Sequence, residues 1–190
     1  MKNLVIFASG SGSNAENIIR YFAEKPEFKV KKIYCNVADA YVLERAKKYQ
    51  VPAVVFNREE LRNPEAILAQ LQAEATDFII LAGFLWLMPA CITAAYPNRI
   101  VNIHPALLPA YGGKGMYGHH VHEAVIAAGE KESGITIHYV NEHYDEGNII
   151  FQACCDIAPE DTPDTLAQKV HALEYEHFPH VIIETISKLR

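Results

Sequence analysis

Cysteine is scarce in this chain. Four of its 190 residues are Cys, at positions 35, 91, 154 and 155, with no C-x-x-C and no regular interval. This spacing argues against a disulfide scaffold or a cysteine-rich zinc module. The thiols are expected to be reduced, with Cys154 and Cys155 on opposite sides of one strand. Positive charge is also in deficit: 17 Lys and Arg stand against 23 Asp and Glu, a formal net charge of −6. That balance argues against DNA, RNA or an anionic membrane as a partner. A small anion remains possible, because a local backbone site binds phosphate against the global charge. No apolar run approaches the ~18 residues needed to span a bilayer. The short "LVIFA" near the start fits a first strand better than a signal peptide. Repeats, low-complexity tracts and linkers are missing. So is a G-x-S-x-G elbow, and no Cys looks reactive, so no covalent nucleophile is evident. The default compartment is the cytoplasm.

What remains is ordinary globular composition, 50% hydrophobic and 21% charged, in a length that suits a single domain, 1–190. Strand and helix patterns alternate. Strands are expected at 4–8, 30–35, 52–56, 78–83 and 99–104. Helices are expected at 14–25, 40–50 and 64–74, with a short one near 89–96. In the first helix Ile18, Ile19, Phe22 and Ala23 share a face. The order β-α-β-α-β-α-β-α-β predicts a doubly wound, Rossmann-like α/β fold whose sheet is mostly parallel. After residue 110 the pattern changes. Runs at 134–141 and 148–157 flank "EHYDEG" and predict an antiparallel C-terminal pair, followed by a final helix over 163–188. Ligands of such sheets bind beyond the carboxyl ends of the strands.

Two segments fall at such ends. "SGSGSNA" (9–15) satisfies G-x-G-x-x-A formally. The dinucleotide reading also needs an acid at the end of the second strand, and Asn36 stands there. The simpler reading is a monophosphate cradle. Glycines admit the anion, Ser11, Ser13 and Asn14 add polar groups, and a helix N-terminus follows. An ordinary strand-to-helix turn capped by Ser13 or Asn14 competes evenly with it.

The second segment is "VNIHP", where Asn102 and His104 share a strand face. Nearby, "GHHVHEAV" carries His119, His120 and His122. The i, i+2 spacing of His120 and His122 places them on different sides of a helix, and no Cys completes a set, so no metal is expected. His138 alternates with Ile135, Ile137 and Tyr139, which suits a hydrogen-bonded histidine of a sheet. The loop 141–149 offers Glu142, Asp145 and Glu146, any of which beside His104 would orient its ring and raise its pKa. An amide donor, a histidine and a carboxylate are parts for acyl transfer, with the attacking amine belonging to the substrate.

Taken in order, "SGSGSN", "CNVADAYVLERAKK", "LAGFLWLM", "NIHPALLPAYGGKG" and "GITIHYVNEHYDEGNIIFQ" resemble the phosphoribosylglycinamide formyltransferase family over nearly the whole chain. The resemblance implies formyl transfer from 10-formyltetrahydrofolate, a co-substrate, to the amine of 5-phosphoribosylglycinamide in purine biosynthesis, without a metal. It implies that residues 1–100 bind the phosphate and residues 101–190 carry the catalysis. Asn102, His104 and Asp145 would be catalytic, with Asp145 raising the pKa of His104. Gly12, Ser13 and Asn14 would hold the phosphate, and Glu174 would lie near the glycinamide amine. Leu85, Trp86, Leu87 and Met88, with Asn102, Glu142, His143 and Tyr144, would embrace the folate, largely through backbone groups. His138 would support the catalytic cluster. Arg62 is the one match offered for a folate-tail contact. Trp86 replaces a basic residue of many relatives and is expected to pack. Partners would be these small molecules, with no nucleic acid or membrane, and the chain a monomer or weak homodimer. Methionyl-transfer-RNA formyltransferase and formyltetrahydrofolate deformylase share the Asn-x-His…Asp core and are the alternatives. Their usual additional domains and, for the first, a basic surface are not expected here.

Overall fold

A computed structural model describes residues 1–189. Two compact units divide the chain, Met1–Val101 and the residues from Asn102 on. Strand order in the sheet is β3-β2-β1-β4-β5-β6-β7.

The first unit is built on β1 (Lys2–Ala8), whose residues Leu4 to Ala8 are all fully buried. A continuous apolar run is what a strand covered on both faces requires. It pairs in parallel with β2 (Phe28–Cys35) and with β4 (Phe78–Leu81), and β2 pairs in parallel with β3 (Ala53–Val55). α1 (Ser13–Ala23) buries Asn14, Ala15, Ile18, Ile19 and Phe22. Ala23, expected on that face, is exposed. The expected N-cap also differs. Gly12 occupies it at φ 72 with no side-chain cap, so neither Ser13 nor Asn14 closes the turn. α2 (Val42–Lys48) is shorter than expected and is followed by an unexpected α3 (Arg58–Arg62). Five residues with one apolar position give no helical period to detect. What starts α3 is a capping box between Asn57 and Glu60. α4 (Glu65–Ala73) and α5 (Ala90–Ala95) complete the unit. Phe7 stacks on Tyr34 at 4.7 Å and meets Phe56 and Phe84 edge-on, which anchors the segment leaving β4.

β5 (Ile100–His104) leads into the second unit. There α6 (His119–Ala127) is followed by β6 (Glu132–Tyr139) and β7 (Ile149–Asp156), which pair antiparallel as expected. α6 stops at Ala127, because Gly129 turns the chain at φ +68 and Glu132 already pairs with Asp156. α7 (Pro163–Ser187) starts at a capping box formed by Thr162 and Thr165. All four cysteines are free thiols. Among the described residues, no helix is long and apolar enough to cross a membrane.

Candidate functional site

In the first unit the loop after β1 is tied to the segments that follow β4 and begin α2. Ser9 N–H donates to the Gly83 carbonyl at 3.0 Å, and Ser9 Oγ accepts from Leu85 N–H at 3.0 Å. Val42 N–H donates to the Gly10 carbonyl at 3.1 Å. A Cβ at residue 12 would fall 2.4 Å from Val42 Cγ2. Only glycine tolerates both that contact and the positive φ. The N–H groups of Ser11, Gly12 and Ser13 have no protein partner among the described residues. Three such donors at the start of an 11-residue helix are the kind of arrangement that suits an anion. Asn14, the next residue, is buried and Ser13 is half-buried.

The segment leaving β4 alternates. Leu85 and Leu87 are 40% and 38% exposed, whereas Met88 is 2% exposed. Any contact Met88 makes with a ligand therefore runs through its backbone. Trp86 packs as expected: its ring meets Phe56 edge-on at 6.1 Å, and the Arg58 guanidinium lies over it at 4.9 Å. Arg62 is exposed in the last turn of α3.

The second unit gathers Asn102, His104, His138 and Asp145. His104 is 3% exposed, and its Nε2 donates to the Tyr111 carbonyl at 2.7 Å. A carbonyl only accepts, so Nε2 keeps its proton and titration falls on Nδ1. Nδ1 lies 3.6 Å from Asp145 Oδ2. That is close enough for charge pairing and too long for a hydrogen bond. Asp145 Oδ2 accepts from Gly113 N–H at 2.9 Å. Asn102 Nδ2 donates to His138 Nε2 at 3.1 Å and reaches Asp145 Oδ1 at 3.5 Å. His138 Nδ1 donates to the Tyr139 carbonyl at 2.8 Å, which leaves the Nε2 lone pair for Asn102. Tyr111 and Asp145 both adopt positive φ, 56° each, backbone conformations that cluster at functional sites.

The electrostatics correct one expectation. Asp145 does raise the pKa of His104, as does the bond to Tyr111, but burial outweighs both and holds it below the ordinary value of 6.5. Burial pushes Asp145 up, yet His138, the charge of His104 and Gly113 N–H together hold its carboxyl below the usual range. Near neutral pH the pair is thus a carboxylate beside a neutral imidazole.

Glu174 is buried on α7 and accepts from His171 Nδ1 at 2.9 Å, one turn away. That bond lifts the pKa of His171, against burial. Of the three histidines in "GHHVH", His119 and His120 are exposed and face Glu123, and only His122 turns inward. The pKa of His122 is lowered by burial, with Glu174 pulling the other way. Glu142 and His143 are exposed, and Tyr144 is half-buried. Sequence reasoning missed the Tyr111 carbonyl and the Gly113 N–H, since backbone groups carry no residue signature. It also missed His171, which the i, i+3 spacing to Glu174 could have revealed. Among the described residues, no group of three or more His, Cys, Asp or Glu side chains is arranged to hold a metal ion.

An amide, a histidine and a carboxylate at the end of a central strand, on a mostly parallel α/β sheet, define a class. The family described as formyl transferase matches residues 2–182, and the chain belongs to that family. Several similar proteins within it are named phosphoribosylglycinamide formyltransferase. Phosphoribosylglycinamide formyltransferase of Bacillus subtilis is 37% identical over 96% of this chain and 93% of its own length. The chloroplastic phosphoribosylglycinamide formyltransferase of Arabidopsis thaliana is 38% identical over 95% of this chain, which spans 64% of that relative's length. The crystal structure of phosphoribosylglycinamide formyltransferase from Bacillus halodurans superposes with a TM-score of 0.88, at 38% identity, covering 100% of this chain and 97% of that one.

Proposed function

We propose that this protein transfers the formyl group of 10-formyltetrahydrofolate to the amine of 5-phosphoribosylglycinamide. The products are formylglycinamide ribonucleotide and tetrahydrofolate, in purine biosynthesis. The observation that carries the reading is His104 with one nitrogen committed to backbone and the other facing a carboxylate. In the transfer, the bond from the formyl carbon to the folate nitrogen breaks and a bond to the glycinamide nitrogen forms. The amine loses a proton and the folate nitrogen gains one. His104, neutral because it is buried, accepts a proton at Nδ1, and Asp145 stabilises the imidazolium that results. Asn102 donates to the carbonyl oxygen as negative charge develops there. His138 supports Asn102 by accepting one of its amide hydrogens.

The remaining roles follow the chemistry of each group. The free N–H groups of the Gly12 loop, with Ser13 and Asn14, take the substrate phosphate. Glu174 receives the glycinamide amine in its buried setting. The exposed Leu85 and Leu87, with Trp86, the backbone of Met88 and the loop Glu142–Tyr144, receive the pterin, and Arg62 is offered to the folate tail. The reading further takes the enzyme as cytoplasmic, and as a monomer or weak homodimer. The test is direct. The protein is mixed with 10-formyltetrahydrofolate and phosphoribosylglycinamide, and formylated product is followed by mass spectrometry. Release of free formate without formylated product assigns a deformylase instead.

A further inference from the structure

The anion loop is held by a second element that the functional reading does not use. Three of its points are fixed by α2. Val42 N–H takes the Gly10 carbonyl, Val42's side chain lies under Gly12, and Arg45 Nε donates to the Ser11 carbonyl at 2.8 Å. The Arg45 guanidinium does not face solvent as a free cation. It forms an ion pair with Glu16 and lies over the Tyr41 ring at 5.0 Å. Its side chain is 24% exposed and that of Glu16 only 15%. Glu16, in the first turn of α1, also accepts from Lys48 at 3.0 Å and Tyr49 Oη at 2.7 Å. α1 and α2 are therefore joined by one carboxylate, and Arg45 runs from that carboxylate to the loop.

We infer that Arg45 is a positioning residue for the phosphate loop. By holding the Ser11 carbonyl on one side of the loop, it keeps the Ser11, Gly12 and Ser13 N–H groups aimed at the anion before substrate arrives. Glu16 neutralises Arg45 and keeps it on the loop backbone, so that it is not drawn to the phosphate itself. Preorganisation of this kind raises affinity by removing an ordering cost from the binding step. The planar guanidinium fork suits this role, since one edge meets a carbonyl and the other a carboxylate, whereas a lysine ammonium cannot span both.

The inference rests on the loop being the phosphate site, and the test separates the two. Michaelis constants for phosphoribosylglycinamide and for 10-formyltetrahydrofolate are measured for the wild type, Arg45→Met, Arg45→Lys and Gly12→Val. Arg45→Met is expected to raise the constant for phosphoribosylglycinamide by roughly 10-fold, the effect of losing a charge-assisted hydrogen bond. The constant for the folate is expected to stay put, and turnover at saturation to remain within about twofold. Arg45→Lys is expected to fall between wild type and Arg45→Met. A merely structural loss would lower the active fraction and leave both Michaelis constants alone, or move both together, and either result overturns the assignment. If Gly12→Val loses phosphoribosylglycinamide and Arg45→Met does not, Arg45 is no positioning residue although the loop is the phosphate site. If Gly12→Val leaves phosphoribosylglycinamide use intact, the loop reading fails and this inference with it.

Discussion

His104 shows how burial and charge compete for one proton. Its nearest carboxylate favours the imidazolium, and its buried position favours the neutral ring. Burial wins, so the sequence-based expectation of a raised pKa has the wrong sign, although the contribution assigned to Asp145 has the right one. Removing that contribution should move the value further down. In Asp145→Asn the His104 resonances are expected to titrate at a lower pH than in the wild type, and turnover should fall on the order of 100-fold or more, as for loss of a transition-state partner. NMR titration and steady-state kinetics read both. A His104 pKa that rises in Asp145→Asn contradicts the pairing. Glu174 poses the complementary case. Its bond to His171 raises that imidazole's pKa, so Glu174→Gln should return His171 toward its ordinary value while weakening use of phosphoribosylglycinamide. An unchanged His171 titration would show that the 2.9 Å contact does not persist in solution.

The elements position these side chains through backbone groups. The loop after β5 delivers the Tyr111 carbonyl to His104 and the Gly113 N–H to Asp145, and it is latched to β6 by one buried hydroxyl. Thr136 Oγ1 accepts from Leu108 N–H at 2.9 Å, donates to the Ala106 carbonyl at 2.7 Å, and accepts from Gln152 Nε2 at 2.9 Å. Thr136→Val keeps the shape and strands two buried partners, the Leu108 N–H and the Ala106 carbonyl, while the exposed Gln152 keeps its bond to the Leu108 carbonyl. It should lower unfolding free energy by about 1–3 kcal/mol and lower turnover as well, whereas Thr136→Ser should restore most of both. Urea denaturation and kinetics check this, and a Thr136→Val protein as stable and active as wild type removes the latch. The latch was invisible in the sequence, where Thr136 is one β-branched residue in "GITIHYV". The strands themselves were legible, because parallel strands buried on both faces read as apolar runs and the β6–β7 pair brackets a polar loop. α3 was not legible, because five residues give no period and its start depends on the Asn57–Glu60 box. Asn102, His104 and Asp145 were legible as types and order. Their distances, and the Gly12 cap in place of Ser13 or Asn14, depend on φ angles and burial that no residue spells out.

The opposing titrations fix how the folded protein responds to acid. His104 and His122 are both buried with lowered pKa values, so the unfolded chain takes up their protons near pH 6.5 while the folded chain does not. Stability therefore falls as pH drops below about 6.5, until the folded rings charge at a lower pH. His171 has the opposite sign. Its folded pKa is raised, so its contribution is fully present below about 6.5 and is lost as pH rises through the folded value. Its side chain is half-exposed, which screens the effect. Asp145 and Asp161, the latter held down to about 2, lose their contributions only in the carboxylate range, well below this window. Between roughly pH 6.5 and 5.5 the two buried rings lose stability while the contribution of His171 is already complete, and Tm is expected to fall across this range. His122 Nδ1 has no hydrogen-bond partner, so His122→Phe removes a buried titrating group without stranding a partner at that atom. That variant should show a shallower fall in Tm over the same pH range, and His171→Gln should leave the fall in place while removing the gain that accrues as pH falls toward about 6.5. Thermal unfolding followed by circular dichroism at closely spaced pH values resolves the two. A Tm that holds constant or rises from pH 6.5 to 5.5 in the wild type means that His104 and His122 take their protons in the folded state as easily as in the unfolded one, and burial no longer accounts for the neutral His104 on which proton acceptance from the substrate amine depends.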